Sequence, residues 1–194
     1  MSPISAPHVV PPPAAHGLLA CMEERGLLGH STRVSGLTAA VCRRLGLSRL
    51  PCELITTAAL MHDVGKLAIP ASVLDTPGRL SDREWELVRD HPVIGERTLR
   101  LVPGLQGTAT LVRHSHERFD GLGYPDRLEG GRIPLGSRII TACDTWDAMT
   151  SDRPYRPAMP RDQALDVLMS AAGAQLDVDV VATLIAVIGR EGMS

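Results

Sequence analysis

Three observations in the sequence predict an all-α domain. Only one Phe, two Tyr and two Trp are present, so the core must be aliphatic, which suits packed helices better than a β-sandwich. Val34, Leu37, Val41 and Leu45 recur at i, i+3, i+7 and i+11, the spacing of one helix face. No segment alternates apolar and polar residues as a half-buried strand does.

The elements follow in order. Residues 1–13 read as a flexible Pro-rich N-terminal tail and residues 14–194 as one domain. The periodic segment gives a helix over Val34–Leu45, with His30 at its opening. Ser48 is placed to cap the next helix, which Leu54, Ile55, Ala58, Ala59 and Met61 carry into His62-Asp63. Ser81-Asp82-Arg83-Glu84 is a capping-box pattern and predicts a helix to about Asp90. Pro92 then suits the first turn of a separate helix to Val102. Leu105–His116 reads as helical and ends at the Gly/Pro-rich stretch Asp120–Pro134, a long ordered loop. Helices resume over Leu135–Met149, Arg161–Ala172 and Asp177–Ile188.

Composition narrows the function classes. A net charge of −2 gives no basic field for a nucleic acid polymer or an anionic membrane. Residues 1–22 carry no Lys, Arg, Asp or Glu. Five prolines interrupt them and the basic start of a signal peptide is missing, so neither a leader nor a spanning helix is expected. Cys21, Cys42, Cys52 and Cys143 form no paired motif and read as reduced, small, buried hydrophobes of a cytoplasmic protein.

The chemistry-bearing residues sit at helix boundaries. His62-Asp63 closes an apolar helix, where adjacent ligands point about 100° apart and can grip an ion from two sides. Imidazole suits divalent transition metals, and a carboxylate has two oxygens with which to bridge a pair of them. Five of the seven histidines, His30, His62, His91, His114 and His116, fall at such junctions, where separate elements can converge. Asp144 lies in ACDTWDAM. His8 and His16 fall to the tail, and His114, two residues from His116, is expected to face away from the site. Lys66 is the chain's single lysine among nineteen arginines. It would share the face of His62 if the helix continued, where a cation could hold a phosphate oxygen.

Taken in order, GHSTRV, ALMHDVGKLAIP, RDHPVIGERTL, HERFDGLGYP, GGRIPLGSRII and CDTWDAMTSDRPYR resemble the HD-GYP domain, a branch of the HD phosphohydrolase superfamily. The resemblance runs from about Leu27 to the AGAQLD segment and implies an HD-domain helical bundle with a long GYP loop. It implies a metal-dependent phosphodiesterase that hydrolyses cyclic di-GMP to pGpG or GMP in bacterial signalling, with two divalent ions, iron or manganese. His30, His62, Asp63 and Asp144 match ligands of the first ion. Asp63 bridges to the second, matched also by His91 and His116. Lys66 matches a lysine near the scissile phosphate, Arg153 and Arg156 match residues that hold substrate phosphates, and Tyr124 matches a residue near the nucleotide.

Two positions depart from the family pattern. Ser115 stands where HHExxDGxGYP has its first histidine, leaving the second ion one imidazole short. Gly26 stands where trinuclear members carry a glutamate, so a third ion is not expected. These departures keep two alternatives: a nucleotide sensor or partner-docking module, with a diguanylate cyclase among its partners, and a hydrolase of another phosphorylated nucleotide. Homodimerisation through an apolar helix face stays open.

Overall fold

The computed structural model describes residues 11–76, 78–152 and 157–191. The described residues form nine α-helices: α1 His16–Glu24, α2 Leu28–Arg44, α3 Arg49–Met61, α4 Ala71–Leu74, α5 Asp82–Leu101, α6 Ala109–Arg113, α7 Leu135–Thr150, α8 Arg161–Ala171 and α9 Val178–Glu191. The all-α expectation holds. Pairing between extended backbones is limited, among these residues, to the bridges Asp120–Glu129 and Ala172–Leu176. No helix among them is long and apolar enough to cross a membrane.

α2 is the central helix, packing against α3 on one side and α7 and α9 on others. The faces it meets are aliphatic: Val34 and Val41 of α2, Ile55 and Met61 of α3, Ile139 and Ile140 of α7, and Leu184 and Ile188 of α9 are all buried. The cysteines are free thiols. Cys42 and Cys143 are buried as expected, and burial pushes both up to about 12, which leaves them unreactive. Against the expectation, Cys52 is half-buried and Cys21 is exposed, the latter on the outer face of α1.

Several boundaries differ from those predicted. Ser48 takes the N-cap position of α3, but its hydroxyl makes no capping bond. His16 heads α1 instead of lying in a tail. The predicted helix Leu105–His116 shrinks to a 3-10 turn, Gln106–Thr108, and the short α6.

The largest correction concerns α5. Its capping box is present, with Ser81 Oγ accepting from the Glu84 amide and Glu84 from the Ser81 amide. The helix then runs through Pro92 without a break, so the two predicted helices are one. An interior proline removes the amide that would have bonded to the carbonyl of Val88, four residues earlier. His91 Nδ1 takes that carbonyl at 2.5 Å, so the acceptor is not orphaned.

A 3-10 turn, Val64–Ala68, follows α3 and lies against α5. Contact is backbone to backbone: a Cβ on Gly65 would sit 1.9 Å from the carbonyl oxygen of His91. This close approach sets the distance between the two elements that carry His62-Asp63 and His91.

Candidate metal centre

The HD dipeptide ends α3. His62 is the C-cap, and Asp63 leaves helical conformation at φ −97° and ψ 5°. The chain therefore does not carry Lys66 along the face of His62. It folds back in the 3-10 turn and brings Lys66 Nζ to Asp63 Oδ2 at 2.7 Å.

One device orients two of the imidazoles. His62 Nδ1 lies 2.8 Å from the carbonyl oxygen of Ala59, and His91 Nδ1 lies 2.5 Å from that of Val88. A carbonyl only accepts, so each Nδ1 carries the proton and each Nε2 offers its lone pair inward. His30 is oriented by a carboxylate instead. Its Nδ1 meets Asp147 Oδ2 at 2.6 Å, and its Nε2 lies 3.0 Å from Asp144 Oδ1. Asp147 is held in turn by the guanidinium of Arg33, with Nε 2.7 Å from Oδ1 and Nη2 3.0 Å from Oδ2.

The six expected ligands converge in two groups. The donor atoms of His30, His62 and Asp144 all lie within 4.8 Å of one another, as do those of Asp63, His91 and His116. Asp63 Oδ1 stands between the groups, 3.6 Å from His62 Nε2 and 3.5 Å from His91 Nε2. His116 Nε2 is 3.0 Å from His91 Nε2, and its ring lies parallel to that of Tyr124 with centroids 5.3 Å apart. The guanidinium of Arg89 lies over the same Tyr124 ring.

Two observations show that these residues fit divalent cations. His62 Nε2 and Asp63 Oδ1 are buried without a hydrogen-bond partner, a costly arrangement that a coordinated ion would relieve. The donors are imidazole nitrogen and carboxylate oxygen, the set that suits first-row divalent metals.

Charge states agree with ligand roles for Asp63, His91 and His116, whereas His30 carries a proton that an ion would have to displace. Burial pushes His91 down to about 4 and His116 to about 3, so both are neutral at ordinary pH, as ligands must be. Burial alone would raise Asp63, but Lys66 and the surrounding histidines hold it well below the usual carboxylate range. For His30 burial is opposed and outweighed by Asp144 and Asp147, which raise it to about 9.

Other predicted residues separate clearly. Tyr124 stands over His116 as described. His114 faces Asp126, with Nε2 3.0 Å from Oδ2, and belongs to neither group, as expected. Ser115 donates to the carbonyl of Val112 at 2.9 Å and is buried, so its hydroxyl is committed to the backbone. Gly26 follows α1 at φ +69°, a conformation in which glutamate would be strained. Arg153 and Arg156 lie outside the described residues.

Sequence reasoning missed three supporting residues. Asp147 is one helical turn beyond Asp144 and Arg33 one turn beyond His30, and this i, i+3 spacing on each helix was the available signal. Glu117 was the third. Its buried carboxylate accepts from the amides of Asp126 at 2.7 Å and Leu128 at 3.1 Å, tying down the GLGYP loop.

Two expected results follow from the orienting bonds. Asp147→Ala should weaken metal binding about 10- to 100-fold, as loss of a carboxylate behind a ligand histidine commonly does. Competition with a chelating dye measures it, and unchanged affinity would remove Asp147 from the site. Pro92→Ala should return an amide to Val88 and take that carbonyl from His91. Thermal stability should not fall, because an interior proline is unfavourable, whereas metal affinity should drop about tenfold as the ring loses its anchor.

Two cavities open onto the centre, and Asp144 lines both. One, of about 570 Å³, is lined by His30, Arg33, Lys66 and Asp147. The other, of about 250 Å³, is lined by Trp85, Arg89, His116, Tyr124 and Gln175.

A family model described as HD domain matches residues 18–180. The 3'3'-cGAMP-specific phosphodiesterase 3 of Vibrio cholerae is 38% identical over 156 residues, 80% of this chain and 34% of the relative. The cyclic di-GMP phosphodiesterase response regulator RpfG of Xanthomonas campestris is 42% identical over 159 residues, 79% of this chain and 41% of the relative. The chain thus spans well under half the length of these curated relatives. Among solved structures, Bd1817, a HDG"Y"P protein from Bdellovibrio bacteriovorus, superposes with a TM-score of 0.68 at 21% identity, covering 90% of this chain and 57% of that one. At that identity it shows a shared fold.

Proposed function

This chain belongs to the HD domain family, in its HD-GYP branch, and from that membership we propose that it is a metal-dependent phosphodiesterase that opens cyclic di-GMP to pGpG or GMP. The observation that carries the proposal is the pair of ligand groups with Asp63 Oδ1 between them and its lone pairs unused. His30, His62, Asp63 and Asp144 would hold one ion and Asp63, His91 and His116 the other; nitrogen and oxygen donors admit several divalent ions, and the family resemblance favours iron or manganese among them. Such a pair supplies Lewis acidity and a nucleophile from water at neutral pH.

The chain's own residues do the rest. Lys66 Nζ, tethered to Asp63, presents a fixed positive charge beside the ion pair, where charge grows on the phosphoryl oxygens. Asp144 lies at the junction of the two cavities, so a phosphodiester there would send one nucleoside into each. The smaller cavity is floored by the Tyr124–His116 stack, which a sugar or base can pack against. Arg153 and Arg156 are proposed to hold the phosphates. Cyclic dinucleotides are cytoplasmic messengers, so the reading also places the chain in the cytoplasm.

Ser115 supports a second reading, a module that binds the nucleotide without cleaving it, because the second group has three protein ligands. The test is direct. Protein loaded anaerobically with Fe(II) or Mn(II), its metal counted, is incubated with cyclic di-GMP and with 3'3'-cGAMP, and products are separated by chromatography. Linear dinucleotide or mononucleotide is expected. Its absence from protein carrying two ions would sink the hydrolytic reading and leave the sensor.

A further inference from the structure

Beyond the metal ligands, the smaller cavity has a mouth of a different chemistry. Trp85, in the first turn of α5, is 50% exposed, and Leu122, at the tip of the GLGYP loop, is 72% exposed. Both line the same cavity that reaches His116 and Asp144. Large apolar side chains left in water at the rim of a polar site are unfavourable unless something covers them.

The rim is rigid. Trp85 sits on a capped helix, its amide bonded to the Ser81 carbonyl at 2.9 Å. Leu122 is followed by Gly123, where a Cβ would lie 2.3 Å from the backbone nitrogen of Arg118, so the loop is pressed onto its own base. The Glu117 carboxylate ties the far side of the loop. A preorganised slot of this kind loses little entropy on binding a flat ligand.

Polar groups complete it. Arg89, one turn after Trp85 on the same face of α5, and Gln175 line the cavity below the rim. They offer donors and an acceptor to the edge of a heterocycle. Trp85 also walls a second cavity, of about 560 Å³, lined by Arg79, Leu80 and Asp82. The indole therefore stands between the cavity above the ligand groups and the second cavity.

We propose that Trp85 is the stacking platform for a purine base of the substrate, with Leu122 closing the opposite side and Arg89 and Gln175 meeting the base edge. This deepens the phosphodiesterase reading and rests on it for the identity of the ligand. Stacking on an aromatic ring tolerates either purine, so the platform serves guanine and adenine alike.

The test uses the full chain with GMP and cyclic di-GMP as probes. Both should quench tryptophan emission saturably, and Trp85→Phe should abolish most of that quenching while equilibrium dialysis still finds binding. Trp85→Ala should weaken binding of both about 5- to 150-fold, with binding of ribose 5-phosphate and inorganic phosphate unchanged. For cyclic di-GMP hydrolysis the loss should appear in KM, with kcat within about threefold. Half-exposed Trp85 carries little of the core, and Trp85→Phe guards against a folding artefact. Equal nucleotide affinity in Trp85→Ala and the parent, or no saturable quenching by either probe, overturns the platform. Hydrolysis with Trp85-independent binding overturns the platform alone. Trp85-dependent binding without hydrolysis supports the platform and removes the catalytic reading.

Discussion

On the proposed two-ion phosphodiesterase centre, Asp63→Ala should reduce hydrolysis by at least about 10³-fold and lower bound metal from two ions per chain to one or fewer. The size of the effect comes from the number of roles one carboxylate fills. Oδ1 lies 3.6 Å from His62 Nε2 and 3.5 Å from His91 Nε2, where it can serve both ligand groups. Oδ2 holds Lys66 Nζ at 2.7 Å. Removing one electrostatic donor from such a site costs about 10² to 10³, and this substitution removes a shared ligand and the lysine's anchor together. The fold should survive, because Lys66 is partly exposed and can turn to water. Metal counting, single-turnover kinetics and circular dichroism read the three effects separately. If Asp63→Asn keeps two ions and a near-parental rate, the bridging role is wrong, since a neutral amide cannot replace the charge.

Gly65→Ala should be the most destabilising small substitution near the site, by about 3 kcal/mol or more. The added methyl would lie 1.9 Å from the His91 oxygen and 2.7 Å from the Gly95 nitrogen, both backbone atoms of α5 that cannot swing aside. The 3-10 turn and α5 must then separate, which pulls Asp63 and Lys66 from His91. For a chain of this length each kcal/mol moves Tm by about 2–4 °C, so a drop of roughly 6–12 °C is expected in a thermal melt, with metal binding lost in parallel. Gly95→Ala is the control. Its Cβ would meet Val112 Cγ1 at 3.1 Å and Val64 Cγ1 at 3.4 Å, side-chain atoms that can give, so its effect should be clearly smaller. A melt that ranks the two the other way would show that the backbone contact does not set the spacing of these elements.

Much of this was legible in the order of residues. Apolar spacing and the absence of strand alternation are local properties, and they determined an all-α chain with helices near their observed positions. Helix-boundary histidines with Asp63 and Asp144 named the six residues whose donor atoms converge in two groups, because donor chemistry depends on residue type and the motifs carry the types in order. The capping box at Ser81 was read correctly for the same local reason.

The rest depended on contacts between segments distant in sequence or on competition the sequence does not display. Pro92 read as a helix start, yet α5 runs through it, because His91 accepts the duty of satisfying Val88. Lys66 reached Asp63 by a 3-10 turn that packing of Gly65 on α5 imposes, not by continuing α3. Asp147 and Arg33 became supports for His30 only when α7 met α2, 114 residues apart in the chain. Trp85 and Leu122 are separate unremarkable positions until the loop closes and sets both at one cavity. Residue types and local periodicity thus determined which atoms are available for chemistry. Tertiary packing alone decided where they point, because orientation is set by which backbone and side-chain groups across the fold must be satisfied or excluded at the same time.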